Sequence, residues 1–494
     1  MKKVQRFQPV VLYSGMLALF LFFVFSSWAY DDPFITFRYA QNLRAGLGFV
    51  YNPGERVLST TTPLYTLLLA GLSFLWSDLP RLSTLISALS LGLGPLALYW
   101  LGQWWDNPMA GLMAALLYPL APLMVTTFGA ETCFYVTLIL WAFALYARGQ
   151  DRAAMALAAL ATLTRADGVL AGAVIGLAFV VRKRRIPWKP LLLFGLLIAP
   201  WYLFSWFYFG SPFPVTLAAK QHQAQMAISD SFAEGFIRMV RGYANNPLYW
   251  LHGVLLTVGL GYAGHKARRW LLLLGWGLLY FVGYTLLGVS RYFWYYAPLV
   301  PVFVALIGLG GEAAVRFLRD RWRFLKRLWP VLGSLILLLL LLPQVRDLWW
   351  LAHHPDPRVQ IYRDVGLWLA ENTPPEASVG TLEVGIIGYY ARRRMVDFAG
   401  LIQPDVALQM RYETTYEDTA FWAVRQYRPN FLVLNPAWFP RLMEQWVNPF
   451  CEPLQRFTRP EYFGELVVYR CQQKGIKGPD PLPSLLICGI IFPK

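Results

Sequence analysis

Long apolar stretches divided by short polar loops run from residue 10 to residue 342, and the pattern then breaks into short alternating runs. Stretch 10–28 is long enough to span a bilayer. Six more apolar stretches follow at 64–76, 82–101, 110–125, 133–146, 153–163 and 169–181. Five others lie at 188–209, 248–263, 270–288, 293–310 and 328–342.

The basic residues orient these stretches. Lys2, Lys3 and Arg6 precede the first one. Arg182-Lys183-Arg184-Arg185, 265–269 and 316–327 form basic clusters in later loops. Cytoplasmic loops carry such excess, so these positions are placed inside and 210–247 outside, with everything after Pro343. An odd number of crossings must then separate residue 31 (outside) from Arg182 (inside), yet six stretches lie between them. Stretch 64–76 is the one expected not to cross, because at ~1.5 Å per residue it reaches about two-thirds of a ~30 Å core. Dropping it puts Arg148 and Arg152 inside and leaves Glu131, Arg165 and Asp167 facing outward. The expected fold class is a polytopic α-helical membrane protein of about 11 spans, with re-entrant or juxtamembrane helices and a multi-pass location in the plasma (inner) membrane.

After Pro343 the periodicity changes. An amphipathic helix is predicted at 356–372, with β-like runs at 378–382, 395–397, 431–434 and 465–469. A small α/β domain on the outer face follows from that alternation. The domains are therefore drawn as 1–343, carrying a first outer loop at 29–62, then 344–474, then a Pro/Gly-rich tail, 475–494, to which no role is assigned. Cys133 belongs to an apolar stretch. Cys451 and Cys471 share the outer domain, which admits a bridge there as readily as two free thiols.

Composition narrows the class further. The chain is 57% hydrophobic and 15% charged, with a net charge of +16. That charge sits in the loops between spans and no nucleic-acid-binding motif accompanies it, so nucleic acid is excluded as a partner. The five histidines show no metal spacing.

The candidate chemistry begins where the first span ends, at Asp31-Asp32-Pro33. Asp32 reads as the N-cap of a helix with Pro33 at its first position. That helix should end near Arg44, Ala45 and Gly46, with an apolar side suited to the bilayer surface. Capping explains one acid and leaves the other. A carboxylate here can take a proton from an acceptor hydroxyl, and the pair could hold a divalent metal, Mg or Mn; the sequence calls for no cofactor with certainty.

The run 31–43 (Asp-Asp-Pro-Phe-Ile-Thr-Phe-Arg-Tyr-Ala-Gln-Asn-Leu), with 48–56 and 60–66, resembles the first outer loop of GT-C membrane glycosyltransferases. It is most similar to the cell-wall arabinofuranosyltransferases, and more distantly to the lipid A aminoarabinose and protein O-mannosyl transferases. Gly129-Ala-Glu-Thr132, Leu163-Thr-Arg-Ala-Asp-Gly168, Pro212-Phe-Pro-Val-Thr216 with Lys220, Arg291 to Pro298, and the stretches from Val379 to Glu383 and Asp397 to Leu401 agree in order. The chain departs from the family at 60–62, at Ala166 where proline is usual, and at Val215 where asparagine is usual, which leaves sugar and acceptor open.

The resemblance implies transfer of a sugar from a polyprenyl-phosphate carrier to a glycan, lipid or protein acceptor on the outer face. Inversion is expected, with one of Asp31 and Asp32 as general base. The leaving phosphate calls for cations, and Arg38, Arg165, Lys220 and Arg291 are the outward-facing ones. Each has a plainer use: Arg38 in snorkelling to headgroups, Arg165 in pairing with Asp167, Lys220 as a loop charge, and Arg291 as a membrane-edge anchor. Glu131 is either a helix cap or an acceptor contact. Two other classes stay in view, a transporter or flippase for a lipid-linked glycan and a non-catalytic envelope assembly factor. The former predicts charges in mid-span rather than gathered at one face.

Overall fold

The computed structural model describes residues 8–321 and 328–472. Lys2, Lys3, Arg6, the second half of the 316–327 basic cluster and the 475–494 tail lie outside them. The chain forms two compact units. The first comprises 8–29, 62–199 and 230–355; the second comprises 30–61, 200–229 and 356–472.

The first unit is helical. Leu79–Trp104, Trp188–Phe209 (whose last ten residues belong to the second unit), Arg268–Leu287, Phe293–Arg321 and the stretch Val331–Asn372, also shared between the units, are long and apolar enough to cross a membrane. Gln8–Val24, Pro63–Leu72, Pro108–Leu120 and Thr132–Ala147 are shorter apolar helices. Length and composition thus single out five spans among the described residues, fewer than the eleven that loop charges suggested. Pro63–Leu72 has 10 residues, about 15 Å at a helical rise, half of a ~30 Å core.

Prolines set several helix starts. Pro63, Pro80 and Pro108 occupy first-turn positions where the missing N–H costs nothing. Helices Trp250–His265 and Val300–Arg321 meet through glycines. A Cβ on Gly259 would strike the Leu306 carbonyl oxygen, and one on Gly310 the Leu255 carbonyl oxygen. Without water to drive association inside lipid, this backbone approach supplies the packing. The last long helix, Trp329–His353, runs straight through Pro343, so the boundary drawn there by composition falls inside a continuous element.

The second unit is built on a five-stranded sheet: β1 (Ser378–Thr381), β2 (Arg394–Asp397), β3 (Phe431–Leu434), β4 (Cys451–Phe457) and β5 (Leu466–Cys471), in the order β2-β1-β3-β5-β4. The β2, β1 and β3 strands are parallel, and β5 and β4 extend the sheet antiparallel. Val396, Leu432, Leu434 and Val467 point into a core shared with Val424 and Phe439. Helix Tyr416–Tyr427 starts from a capping box between Thr415 and Asp418. Four strands fall within a few residues of the alternating runs. The fifth, β4, is an edge strand with exposed Glu452 and Pro453 and no alternation to read.

Cys451 and Cys471 pair across β4 and β5 in a disulfide closing a separation of 20 residues. A cross-link of that span stabilises by ~3 kcal/mol, mainly by restricting the unfolded chain. The double variant Cys451→Ser, Cys471→Ser should therefore unfold at a clearly lower temperature and yield to protease in the C-terminal domain. An unchanged midpoint would show that the bond does not form.

The first outer loop belongs to this second unit, not to the membrane helices that precede and follow it in sequence. Asn52 pairs with Met395 of β2 as a backbone would, donating Nδ2–H to its carbonyl and accepting its N–H, both at 2.9 Å. Tyr51 donates its hydroxyl to the Val384 carbonyl at 2.5 Å. Within the loop, Asn42 donates to the carbonyls of Val50 and Tyr51 at 2.9 and 2.7 Å. The loop is thus stapled to the sheet by side chains that replace strand hydrogen bonds.

Candidate active site

Helix Asp32–Arg44 ends where its sequence predicts but begins one residue early. Asp31 takes the N-cap position, makes no side-chain cap bond and leaves Asp32 in the first turn. Asp32 is therefore not the cap. Nor does the helix offer an apolar side to lipid, because Phe34, Ile35, Phe37 and Tyr39 are all buried. Phe34 packs edge-on against Tyr389, ring centres 5.5 Å apart.

The Asp31 carboxylate reaches across to another helix start. Its Oδ2 accepts the Gly385 N–H at 2.8 Å and its Oδ1 the Ile386 N–H at 2.7 Å. Gly385 must be glycine, since a Cβ there would fall on Asp31. Burial pushes the Asp31 carboxyl up to about 6, and the charge of Asp32 adds to the rise. The Ile386 and Gly385 N–H groups and the charge of Arg358 pull it back.

Asp32 turns the other way. Its Oδ2 lies 3.5 Å from Nζ of Lys220, which is buried on helix Val215–Gln225. That helix is tied in by Val215 N–H to the Leu58 carbonyl at 2.9 Å and by Gln223 to the Ala399 carbonyl at 3.1 Å. Arg38 is 3% exposed, so it does not snorkel to headgroups. It donates to Gln41 Oε1 at 3.1 Å, its Nε has no hydrogen-bond partner, and no carboxylate pairs with it among the described residues. Burial lowers its proton affinity, and the charges of Arg392 and Arg393 lower it further. A buried guanidinium in a positive surrounding is a place for an anion.

Two further acids, not singled out as site residues from the sequence, sit at the carboxyl ends of the parallel strands. Glu383 follows β1 and stands 4.0 Å from Arg358. Burial and the charge of Asp31 push it up to about 8, against the pull of Arg358. Asp397 closes β2, and burial pushes it up to about 7 although it accepts N–H groups from Ala399, Leu401 and Ile402. The signal that finds them is topological: in open α/β sheets, ligands gather outside the carboxyl ends of the strands.

The remaining sequence candidates belong to the first unit. Arg165 is committed to two carboxylates, donating to Glu131 at 3.0 Å and to Asp167 at 3.1 Å. Its Nη2 also donates to the Tyr284 hydroxyl at 2.7 Å, and that hydroxyl donates to Asp167 at 2.6 Å. Glu131 thus serves an ion pair rather than a helix cap. Arg291 pairs with Asp230 at 2.9 Å, beside the stacked rings of Tyr292 and Trp294. Asp31, Asp32, Arg38 and Lys220 hence all belong to the second unit, with Lys220 paired to Asp32. Glu131, Arg165 and Asp167 form a separate cluster in the first unit, and Arg291 stands apart from it.

For a divalent cation the acidic pair offers two carboxylates, and both Asp31 oxygens already accept backbone N–H groups. No group of three or more His, Cys, Asp or Glu among the described residues is arranged to hold a metal.

Residues 350–470 match a family described as a domain of unknown function, DUF8728. No curated protein sequence matches the chain. Among solved structures, ArnT from Cupriavidus metallidurans bound to undecaprenyl phosphate is 15% identical. The match covers 95% of this chain and 98% of that one, with a TM-score of 0.55. The archaeal oligosaccharyltransferase AglB from Archaeoglobus fulgidus, in complex with an inhibitory peptide and a dolichol-phosphate, is 12% identical. That match covers 96% and 75% of the two chains, with a TM-score of 0.59. Apolar helices, an acidic pair after the first of them and a small sheet domain carrying the loop 30–61 therefore make up a fold shared with ArnT and AglB.

Proposed function

We propose that the chain is an inverting glycosyltransferase that moves a sugar from a polyprenyl-phosphate carrier to a cell-envelope acceptor on the outer membrane face. The observation that carries this reading is Asp31, held by two backbone N–H groups with its proton affinity raised to about 6. A base poised near neutrality, with a lone pair left on each oxygen, suits removal of a hydroxyl proton. The acceptor oxygen attacks the anomeric carbon while its proton passes to Asp31. The bond from that carbon to the phosphate oxygen breaks with its electron pair staying on the phosphate. Arg38 and Lys220 face the growing charge, and Asp32 holds the Lys220 ammonium in place. Likeness over nearly the whole chain to ArnT bound to undecaprenyl phosphate supports a lipid-phosphate donor.

The transporter alternative calls for charges in mid-span. Glu312, buried on helix Val300–Arg321, is satisfied by Asn107, the Ala110 N–H and Arg316 towards the basic end of that helix. It reads as structural.

Mass spectrometry of surface glycans and membrane lipids, with and without the protein, tests the proposal. Its loss should remove one sugar from an envelope glycan, lipid or protein and leave the polyprenyl-phosphate sugar accumulated on the outer leaflet. Accumulation on the inner leaflet instead would make the protein a flippase.

A further inference from the structure

Beside Asp31 lies a group of side chains with no part in the proposed base and phosphate chemistry. Arg358 and Tyr362 stand one turn apart on helix Arg358–Asn372 and so share a face. Glu383 is 4.0 Å from Arg358. The Tyr362 ring packs edge-on at 6.4 Å from Tyr462, whose other side meets Trp438 at 6.2 Å. Tyr362 is 1% exposed and Tyr462 7%, and neither hydroxyl makes a well-formed hydrogen bond, although the two lie near each other and Tyr462 also lies near Asn435. Trp438 is 40% exposed. Glu383 and Asp31 are both among the charges that act on Tyr362, so the group adjoins the base.

A buried hydroxyl without a well-formed bond costs ~1–3 kcal/mol, so two hydroxyls with only each other and Asn435 at hand keep hydrogen-bonding capacity for a ligand to fill. Two phenols, a carboxyl, a guanidinium and a partly exposed indole together offer donors, acceptors and flat apolar surface. That set matches a polyhydroxylated ring, whose hydroxyls need both roles and whose C–H face packs on an aromatic. A peptide would ask for backbone pairing, and a lipid chain would leave these polar groups unsatisfied.

We infer that Arg358, Tyr362, Glu383, Trp438 and Tyr462 form an acceptor subsite for a neutral saccharide, which makes the acceptor a glycan or a sugar headgroup. This rests on the transferase reading for its role but on the cluster alone for its ligand.

The test uses the full chain in lipid nanodiscs and saturation-transfer NMR. The probes are a panel of methyl pentoside and hexoside disaccharides and a panel of Asn-, Ser- and Thr-containing peptides. At least one disaccharide should bind. The variant Tyr362→Phe with Tyr462→Phe, which keeps both rings, should weaken it about tenfold, two hydrogen bonds at ~0.5–1.5 kcal/mol each. Trp438→Ala should weaken it independently. Peptide binding with no disaccharide binding overturns the subsite, and so does disaccharide binding untouched by both variants. Sugar transfer from a polyprenyl-phosphate donor, assayed on the same sample, separates the two ideas. Disaccharide binding without transfer supports the subsite and removes the transferase reading; transfer to a peptide without disaccharide binding does the reverse.

Discussion

Asp31→Asn should lower sugar transfer by ~10²–10⁴-fold, the usual cost of losing a general base. An amide keeps the size of the carboxyl and one acceptor oxygen, so it still takes one of the two N–H bonds from Gly385 and Ile386. What it loses is the capacity to accept a proton. Asp32→Asn should act differently. It frees Lys220 from its ion pair at 3.5 Å, so donor binding shifts while proton transfer survives, and the loss should be smaller and felt more in the donor KM. Both variants should insert into membranes as well as the parent. Single-turnover transfer rates on purified protein decide the matter. Near-normal rates for Asp31→Asn would end its role as base, and a larger loss at Asp32 would move that role to its neighbour.

Arg165→Ala should be a folding defect before it is a catalytic one. Glu131 and Asp167 would be left facing a site with no cation, since Arg165 is the partner of both. Breaking a buried pair by removing one member costs ~3–5 kcal/mol, because the charge left behind is uncompensated. The Tyr284 hydroxyl, now placed between Arg165 and Asp167, would lose its donor as well. Folded yield of the single variant should fall sharply. Adding Glu131→Gln and Asp167→Asn should recover most of it by neutralising the cluster. If instead the single variant folds normally and only loses turnover with the lipid-phosphate donor, Arg165 is a phosphate ligand and not a scaffold residue.

The sheet domain was legible in the sequence because most of its strands are short apolar runs, buried at every position in Ser378–Thr381 and Phe431–Leu434. The edge strand Cys451–Phe457 was not, since an exposed edge carries no alternation. Helix bounds such as Trp188–Phe209 follow directly from an uninterrupted apolar run. The span count was harder, because Pro63–Leu72, Pro108–Leu117 and Thr132–Ala147 are short elements for which hydropathy does not distinguish crossing from burial. At the site, adjacency made Asp31 and Asp32 visible, and the resemblance supplied Lys220 and Arg38. Glu383 and Arg358 stayed hidden because their importance comes from folding more than 300 residues away from Asp31. No local spacing encodes that. Arg165 shows the opposite limit: its charge was plain, but its second partner, Glu131, lies 34 residues away and appears only in three dimensions.

The bond from Gly385 to Asp31 spans 354 residues of chain. A ribosome adding ~5–20 residues per second needs roughly 20 to 70 s to cover that distance. Through that interval Asp31 is already synthesised, yet the N–H groups that hold it do not exist. Arg392 and Arg393, which make the surroundings of Arg38 positive, come later still. A nascent chain therefore carries Asp31 unheld until late in translation. On the proposed reading of Asp31 as the base, the timing of synthesis itself keeps a half-made protein inactive.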